Sequence, residues 1–195
     1  MNTKAALLII DLQNDFCPGG ALPVPHGNLV VEPLNRLAAR CAAAGVPVLA
    51  SRDWHPAETS HFSSFGGVWP VHCVQGSPGA AFHPDLRLPE GTCIISKGYT
   101  ADADAYSAFE GADADGTPFR EVLAALGVGQ LYVGGLATDY CVRSTVLDAL
   151  KAGCEVFVLT DAIAGVDVTP GDSQRALEEM KNAGARLCAS GEVEV

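Results

Sequence analysis

Basic residues are scarce in this chain. Its 12 lysines and arginines stand against 23 aspartates and glutamates, which gives a formal net charge of −11 at pH 7. No cluster of basic side chains is present that could neutralise phosphate groups. We therefore expect no nucleic-acid partner and no attraction to an anionic membrane surface.

Long hydrophobic runs are also missing, and no apolar segment reaches the roughly 20 residues that a membrane-spanning helix needs. Near the N-terminus, Asp11 and Asp15 follow a short apolar run closely, and no small-residue cleavage site typical of a secretory signal follows. We expect a cytoplasmic protein with no membrane partner. Because the composition is even along the chain, the sequence predicts a single domain over residues 1–195.

Several motifs that define other protein classes are absent. The seven cysteines are odd in number and none is spaced as C-x-x-C, which argues against a disulfide framework and a cysteine-based zinc site. There is no G-x-G-x-x-G after the first apolar run, no P-loop and no G-x-S-x-G elbow. Dinucleotide-binding, P-loop and serine-hydrolase classes are accordingly disfavoured.

Apolar runs do alternate with helical patterns along the chain. The runs are nearly continuous, as in strands that are covered on both faces, and lie at 6–10, 47–51, 93–96, 131–134, 155–159 and 185–188. Helical patterns cover approximately residues 29–44, 118–126, 139–152 and 173–183. This alternation predicts an α/β fold in which helices flank a parallel sheet.

Residues 53–91 interrupt the alternation. This stretch has no periodicity, is rich in Gly, Pro, Ser and aromatic residues, and holds every histidine except His26. Loops of this length are uncommon in compact domains and are usually functional.

Chemically active side chains follow four consecutive predicted strands. The first strand leads to Asp11, the second to Asp53 and His55, the third to Lys97 and the fourth to Cys141. Ligands of parallel sheets bind beyond the carboxyl ends of the strands. We therefore expect an acid, a pair of metal ligands, a base and a thiol at one edge of the sheet.

Each of these residues also has an ordinary structural explanation. Asp11 could end its strand as an Asx turn, Lys97 could be solvated, and Cys141 could be a buried structural cysteine. The functional interpretation gains support if Asp11 and Lys97 pair, because a buried charge requires a partner. Cys141 also lies at the predicted start of a helix, where a thiolate is stabilised.

The histidines suggest a metal site. Asp53 and His55 are two residues apart, so an extended backbone points both to one side, and His61 and His72 come from the following loop. Such a set suits one divalent ion, Zn, Fe or Mn. The alternative is a group of exposed loop histidines, and we place His83 outside the site.

The chain contains the motifs IIDLQNDFCPGG, RDWHP followed by His61, WPVHC, SKGYTADADAYSAFEG and VGGLATDYCV. Together these resemble nicotinamidases of the isochorismatase-like cysteine hydrolases, nearly end to end. The resemblance implies a three-layer α/β/α fold of Rossmann type, with a six-stranded parallel sheet in the order 3-2-1-4-5-6. It also implies a catalytic triad of Asp11, Lys97 and Cys141.

The resemblance further implies the remaining site residues. Metal ligands would be Asp53, His55, His61 and His72, and the backbone N–H groups of Ala137 and Cys141 would form an oxyanion hole. A cis peptide would join Leu136 to Ala137. The substrate would be bound by Phe16, Trp69, Tyr106, Leu136 and Ala137. Several relatives carry His before the nucleophile, whereas this chain has Tyr140.

The activity implied is hydrolysis of the small molecule nicotinamide to nicotinate and ammonia, as in pyridine nucleotide salvage, with a thioester on the cysteine and a metal ion at the pyridine nitrogen. A homo-oligomer is compatible with the sequence. Three alternatives remain. One is a metal-independent cysteine amidase of the same superfamily with a carbamoyl or ureido substrate. The others are a metallohydrolase in which metal-bound water attacks and a non-catalytic binding protein.

Overall fold

Six strands form the sheet of the protein. The computed structural model describes residues 4–102 and 104–195. The strands are β1 (Lys4–Ile10), β2 (Val48–Asp53), β3 (Cys93–Lys97), β4 (Val128–Leu136), β5 (Glu155–Ala164) and β6 (Arg186–Cys188). All neighbouring pairs are parallel, in the order β3-β2-β1-β4-β5-β6. The predicted α/β fold and the strand order are confirmed.

Four helices cover the two faces of this sheet. They are α1 (Val31–Ala44), α2 (Phe119–Leu126), α3 (Arg143–Lys151) and α4 (Asp172–Asn182). Leu7 and Ile9 of β1 pack in one core cluster with α1, whereas Leu8 and Ile10 pack in the other with the remaining three helices. This alternation follows from the two-residue period of a strand. Burial of each such side chain contributes about 1.5–3 kcal/mol, which explains the continuous apolar run.

Several predicted boundaries are wrong. Strands β4 and β5 extend beyond the predicted 131–134 and 155–159, because their pairing resumes after a register shift that follows Val133 and continues to Leu136 and Ala164. Helix α1 starts at Val31 after a short 3-10 turn, and α2 starts at Phe119 with Pro118 as its N-cap. The predicted helix 139–152 is α3 preceded by a π-helical turn, Thr138–Val142, in which Val142 N donates to the Ala137 oxygen.

The connection between β2 and β3 matches the predicted long loop. Within this connection, Ser63–Phe65 form a short 3-10 turn. Within residues 4–102 and 104–195, no helix has both the length and the apolar character needed to cross a membrane.

The strand order reverses between β1 and β4. In sheets of this kind, the crevice for ligands opens beyond the carboxyl ends of the two strands at the reversal. Asp11 follows β1 directly, and Cys141 follows β4 in the π-helical turn. The fold therefore brings these two side chains to the position where a ligand site is expected.

Candidate active site

Asp11, Lys97 and Cys141 form a buried group that we call the thiol cluster. The Nζ atom of Lys97 lies 2.9 Å from Asp11 Oδ2 and 3.5 Å from Cys141 Sγ. Asp11 and Lys97 are fully buried, and Cys141 is nearly so. The structure thus brings together the three side chains that the strand ends predicted, and the pairing of Asp11 with Lys97 excludes a solvated lysine.

Three further contacts complete the surroundings of the thiol cluster. Ser51 Oγ donates to Asp11 Oδ1 at 2.7 Å, and Lys97 Nζ donates to the carbonyl oxygen of Ala105 at 3.2 Å. Lys97 also forms an ion pair with the carboxylate of Asp53. The Asp11 side chain therefore serves the cluster and does not close an Asx turn.

Burial controls the pKa values in the thiol cluster. It raises the pKa of the Cys141 thiol well above its ordinary value; the Lys97 ammonium opposes this and the Asp11 carboxylate adds to it. Burial also raises the pKa of Asp11, again against Lys97. For Lys97 burial alone would lower the pKa, but Asp11 and Asp53 outweigh it and hold the pKa well above the usual range. Lys97 therefore remains cationic, and Asp11 is suited to accept and release a proton.

The backbone at Asp11 is unusual. Its φ is +46°, a left-handed value that Asp and Asn adopt more readily than other non-glycine residues. The N–H of Asp11 donates to the carbonyl oxygen of Ser51, and the N–H of Gln13 donates to the carbonyl oxygen of Asp11. These bonds fix the turn that directs the Asp11 carboxylate towards Lys97.

His55, His61 and His72 form the second group, which we call the histidine cluster. All three are buried, and one potential ligand atom from each lies within 4.8 Å of those of the other two. His55 Nδ1 lies 3.0 Å from the Gly98 oxygen, and His72 Nδ1 lies 2.7 Å from the Pro70 oxygen. These carbonyls orient the two rings by their Nδ1 atoms, as is usual for histidines that bind metals.

Asp53 links the histidine cluster to the thiol cluster. One of its oxygens contacts Lys97. The other, Oδ2, lies 3.5 Å from His55 Nε2 and 3.8 Å from His72 Nε2. Burial alone would raise the pKa of Asp53, but Lys97 and His55 outweigh burial and lower it. Asp53 is therefore ionised.

The donor set fits a divalent cation. The Nε2 atom of His55 is buried without a hydrogen-bond partner among the described residues, and such an atom is costly unless something binds it. Imidazole nitrogens beside a carboxylate suit zinc, iron or manganese. Gly98 makes room for this ring: a Cβ there would lie 2.5 Å from His55 Cε1, and its φ is +64°.

His61 is held differently from the other two histidines. Its ring stacks on His55 with centroids 4.5 Å apart, and its Nδ1 lies 2.7 Å from Asp104 Oδ1. Burial lowers the pKa of His61, which favours the neutral ring that a metal requires. The prediction from sequence missed Asp104, because nothing in its surroundings distinguishes it from other exposed aspartates.

Gln13 is a second residue that the sequence analysis missed. It is fully buried. Its side chain donates to the carbonyl oxygen of Asp53 and accepts from the N–H of Asp53, both at 2.8 Å. It also donates to the oxygen of Ala80 at 2.9 Å. Gln13 lies in the polar segment between Asp11 and Asp15, and no local pattern distinguishes it from its neighbours.

An apolar cavity connects the two clusters with the surface. All five predicted substrate-binding residues line it, namely Phe16, Trp69, Tyr106, Leu136 and Ala137. Cys141 lines the cavity, as do Asp53, His61 and His72. Asp11, Lys97 and His55 do not line it and lie deeper in the protein. The peptide bond between Leu136 and Ala137 is cis, as the resemblance implied.

Other lining residues were not predicted. They are mostly aliphatic and come from distant parts of the chain: Leu22, Val24, Ala105, Val166 and Val168. Tyr140 also lines the cavity, with its ring centroid 5.4 Å from that of Trp69, and Trp69 Nε1 donates to Tyr106 Oη at 3.0 Å. The residue that replaces the histidine of several relatives is therefore part of the aromatic wall.

The chain is similar to known nicotinamidases and pyrazinamidases over nearly its whole length. A nicotinamidase of Escherichia coli (strain K12) is 45% identical over 198 residues, which cover 93% of each chain. A nicotinamidase/pyrazinamidase of Mycobacterium tuberculosis is 42% identical, over 95% of this chain and 98% of that one. The crystal structure of a pyrazinamidase of Pyrococcus horikoshii in complex with zinc superposes with a TM-score of 0.88 at 46% identity, over 95% of this chain and 99% of that chain.

The family relationship follows from a match over almost the whole sequence. The model of the isochorismatase domain matches residues 5–192. The chain belongs to the isochorismatase domain family.

Proposed function

We propose that this protein is a nicotinamidase, a cysteine amidohydrolase that converts nicotinamide to nicotinate and ammonia, and that residues 1–195 form one catalytic domain. The observation that carries the proposal is the position of Cys141. Its sulfur lies 3.5 Å from the Lys97 ammonium, in an apolar cavity that is also lined by His61 and His72. The relatives named nicotinamidase or pyrazinamidase support the same substrate class.

The first half of the reaction forms a thioester. Asp11 accepts the proton of the Cys141 thiol, and the Lys97 ammonium stabilises the resulting thiolate. The thiolate attacks the carboxamide carbon, and the carbonyl electron pair moves to oxygen. We assign the N–H groups of Ala137 and Cys141 as donors to that oxygen, a contribution of about 3–4 kcal/mol for one such donor. Asp11 then gives its proton to the nitrogen as the C–N bond breaks and ammonia leaves.

The second half releases the acid. A water molecule attacks the thioester carbon while Asp11 takes a proton from it. The C–S bond breaks, and Cys141 receives a proton again through Asp11. Lys97 remains charged throughout, because two carboxylates hold its pKa well above the usual range.

We assign the metal ligands as His55, His61, His72 and Asp53, for one zinc, iron or manganese ion. A divalent ion held there supplies Lewis acidity, for which a pyridine nitrogen is a suitable electron-pair donor. The aromatic side chains of Phe16, Trp69 and Tyr106 would flank the ring. This arrangement explains why a thiol and a set of metal ligands share one cavity, and it disfavours a metal-independent amidase.

The test is release of ammonia from nicotinamide by the purified protein. We expect activity in the parent, loss on chelation, and recovery when one of the three metals is added back. Cys141→Ala should abolish turnover and keep the parental metal content, whereas Cys154→Ala, a half-buried cysteine outside the site, should remain active.

Two results would contradict the proposal. Full activity of Cys141→Ala would identify a metallohydrolase. Equal kcat/KM for nicotinamide and benzamide, which lacks the ring nitrogen, together with resistance to chelation, would identify a metal-independent amidase.

A further inference from the structure

A buried carboxylate that the mechanism does not use lies two residues before the nucleophile. Asp139 belongs to the π-helical turn Thr138–Val142 and is only 7% exposed. Its Oδ1 accepts the N–H of Val166 at 3.0 Å, and its Oδ2 accepts the N–H of Asp167 at 2.8 Å. Both oxygens are therefore committed to the backbone that follows β5.

Residues 166–168, which Asp139 holds, form one wall of the cavity, which we call the Val166 wall. Val166 and Val168 line the cavity together with Cys141. Val166 packs against the core cluster that contains Leu136 and Ala137, whereas Val168 is 71% exposed at the mouth. Asp139 thus connects this wall directly to the turn that carries the sulfur.

The same segment is also attached to the start of α4. Asp167, whose φ is +52°, accepts the backbone N–H and the hydroxyl of Ser173, both at 2.8 Å. A Cβ at Gly165 would overlap Ser173 Oγ, so the Ser173 side chain packs directly against the backbone of this segment. The wall is therefore fixed from two sides, with Asp139 on the side of the nucleophile.

We propose that Asp139 is a positioning residue that sets the distance between the Val166 wall and the Cys141 sulfur and so determines the size of ring that the cavity accepts. The inference rests on the proposed function. Hydrogen bonds to an ionised acceptor are stronger than neutral ones. Val166 would contact the ring in the ground state and in the transition state alike, so loosening the wall should raise KM more than it lowers kcat.

The test compares Asp139→Ala and Asp139→Asn with the parent on nicotinamide and on the bulkier 5-methylnicotinamide. For Asp139→Ala we expect kcat/KM on nicotinamide to fall about tenfold, mainly through KM, which is the lower end of the effect of one missing methylene contact. The preference for nicotinamide over the methylated ring should shrink. Metal content and the rate of Cys141 alkylation by iodoacetamide should stay parental.

Asp161→Ala is the matched control. Asp161 lies on β5, the strand that leads to Val166, and also accepts two hydrogen bonds, both from Ser190 at 2.7 Å. Ser190, unlike Val166, does not line the cavity. This variant should keep the parental KM and preference. Val166→Ala trims the wall and leaves the Asp139 carboxylate in place, so it should reproduce the change in preference.

Asp139→Asn retains the side-chain volume and one oxygen acceptor. It replaces Asp139→Ala in the same measurements if Asp139→Ala does not fold. Parental KM and preference in a folded Asp139 variant overturn the inference but leave the proposed function standing. A changed alkylation rate at unchanged KM also overturns it, since Asp139 would then act on the nucleophile. A parent protein that releases no ammonia from nicotinamide overturns the proposed function and this inference with it.

Discussion

The thiol cluster and the histidine cluster adjoin each other but are held by different parts of the fold. Asp11 follows β1, Lys97 ends β3 on the far side of β2, and Cys141 lies in the π-helical turn between β4 and α3. His61 and His72 lie in the long connection between β2 and β3, where carbonyl oxygens and Asp104 hold the rings. The sheet and the turn after β4 therefore fix the proton-transfer groups and Asp53, whereas loop backbone and Asp104 fix the rings of His61 and His72.

Lys97→Met should produce the largest effect, because it leaves two carboxylates buried without their cation. We expect a loss of about 3–5 kcal/mol in the free energy of unfolding, measured by urea denaturation, and no detectable turnover. Lys151→Met removes an exposed ion pair with Asp148 and should cost less than about 1 kcal/mol. If Lys97→Met lowered the free energy of unfolding no more than Lys151→Met does, the buried ion pairs of Lys97 would not stabilise the thiol cluster.

Stabilisation by a bound metal should depend on the histidine cluster. Zinc at about 100 times its Kd should stabilise the parent by about 2.7 kcal/mol, measured by thermal or urea unfolding. His72→Ala should lose most of that stabilisation, whereas His83→Ala, a loop histidine outside the cluster, should keep it. Equal stabilisation in both variants would place the metal elsewhere.

Gln13→Ala should affect the histidine cluster through Asp53, whose backbone it fixes. Residues that orient metal ligands typically change metal affinity by about 10–100-fold, and we expect a loss in that range by competition with a chelator. Gln75→Ala removes an exposed glutamine that bonds to the Trp54 oxygen and should leave the affinity unchanged. A parental affinity in Gln13→Ala would show that the pairing of β2 with β3 holds Asp53 without Gln13.

Ser51→Ala should give the smallest effect, confined to the thiol cluster. The Ser51 bond lowers the pKa of Asp11 against the dominant effect of burial, so its loss should raise that pKa further. Asp11 must be ionised to accept the thiol proton, and the acidic limb of the kcat/KM profile should therefore move to higher pH. Ser96→Ala on β3, which loses the hydrogen bond donated by Arg52 of β2, should leave the profile in place.

The sequence predicted most of what the sheet determines. Strand ends identified Asp11, Lys97 and Cys141, because parallel strands deliver their carboxyl ends to one edge regardless of how the loops run. The order of the strands and the aromatic lining came from family resemblance. The boundaries of β4 and β5 were wrong, because their pairing resumes after a register shift and continues to Leu136 and Ala164.

Contacts made by side chains across long distances in sequence could not be predicted. Gln13 reaches Asp53, and Asp139 reaches Val166, only because the loops return over the sheet edge. Asp104 pairs with His61 in the same way. No local sequence pattern predicts these contacts, because each depends on the path of two segments that are far apart in the sequence.

The order in which the site residues occur along the chain has a consequence for biosynthesis. β1 lies at the middle of the sheet and is made first, but it pairs on one edge with β4, which ends at Leu136. A growing chain therefore contains every assigned metal ligand well before the sulfur of Cys141 leaves the ribosome. Pairing between segments so far apart in sequence is slow, so the nucleophile joins Asp11 only when β4 pairs with β1 in the centre of the sheet.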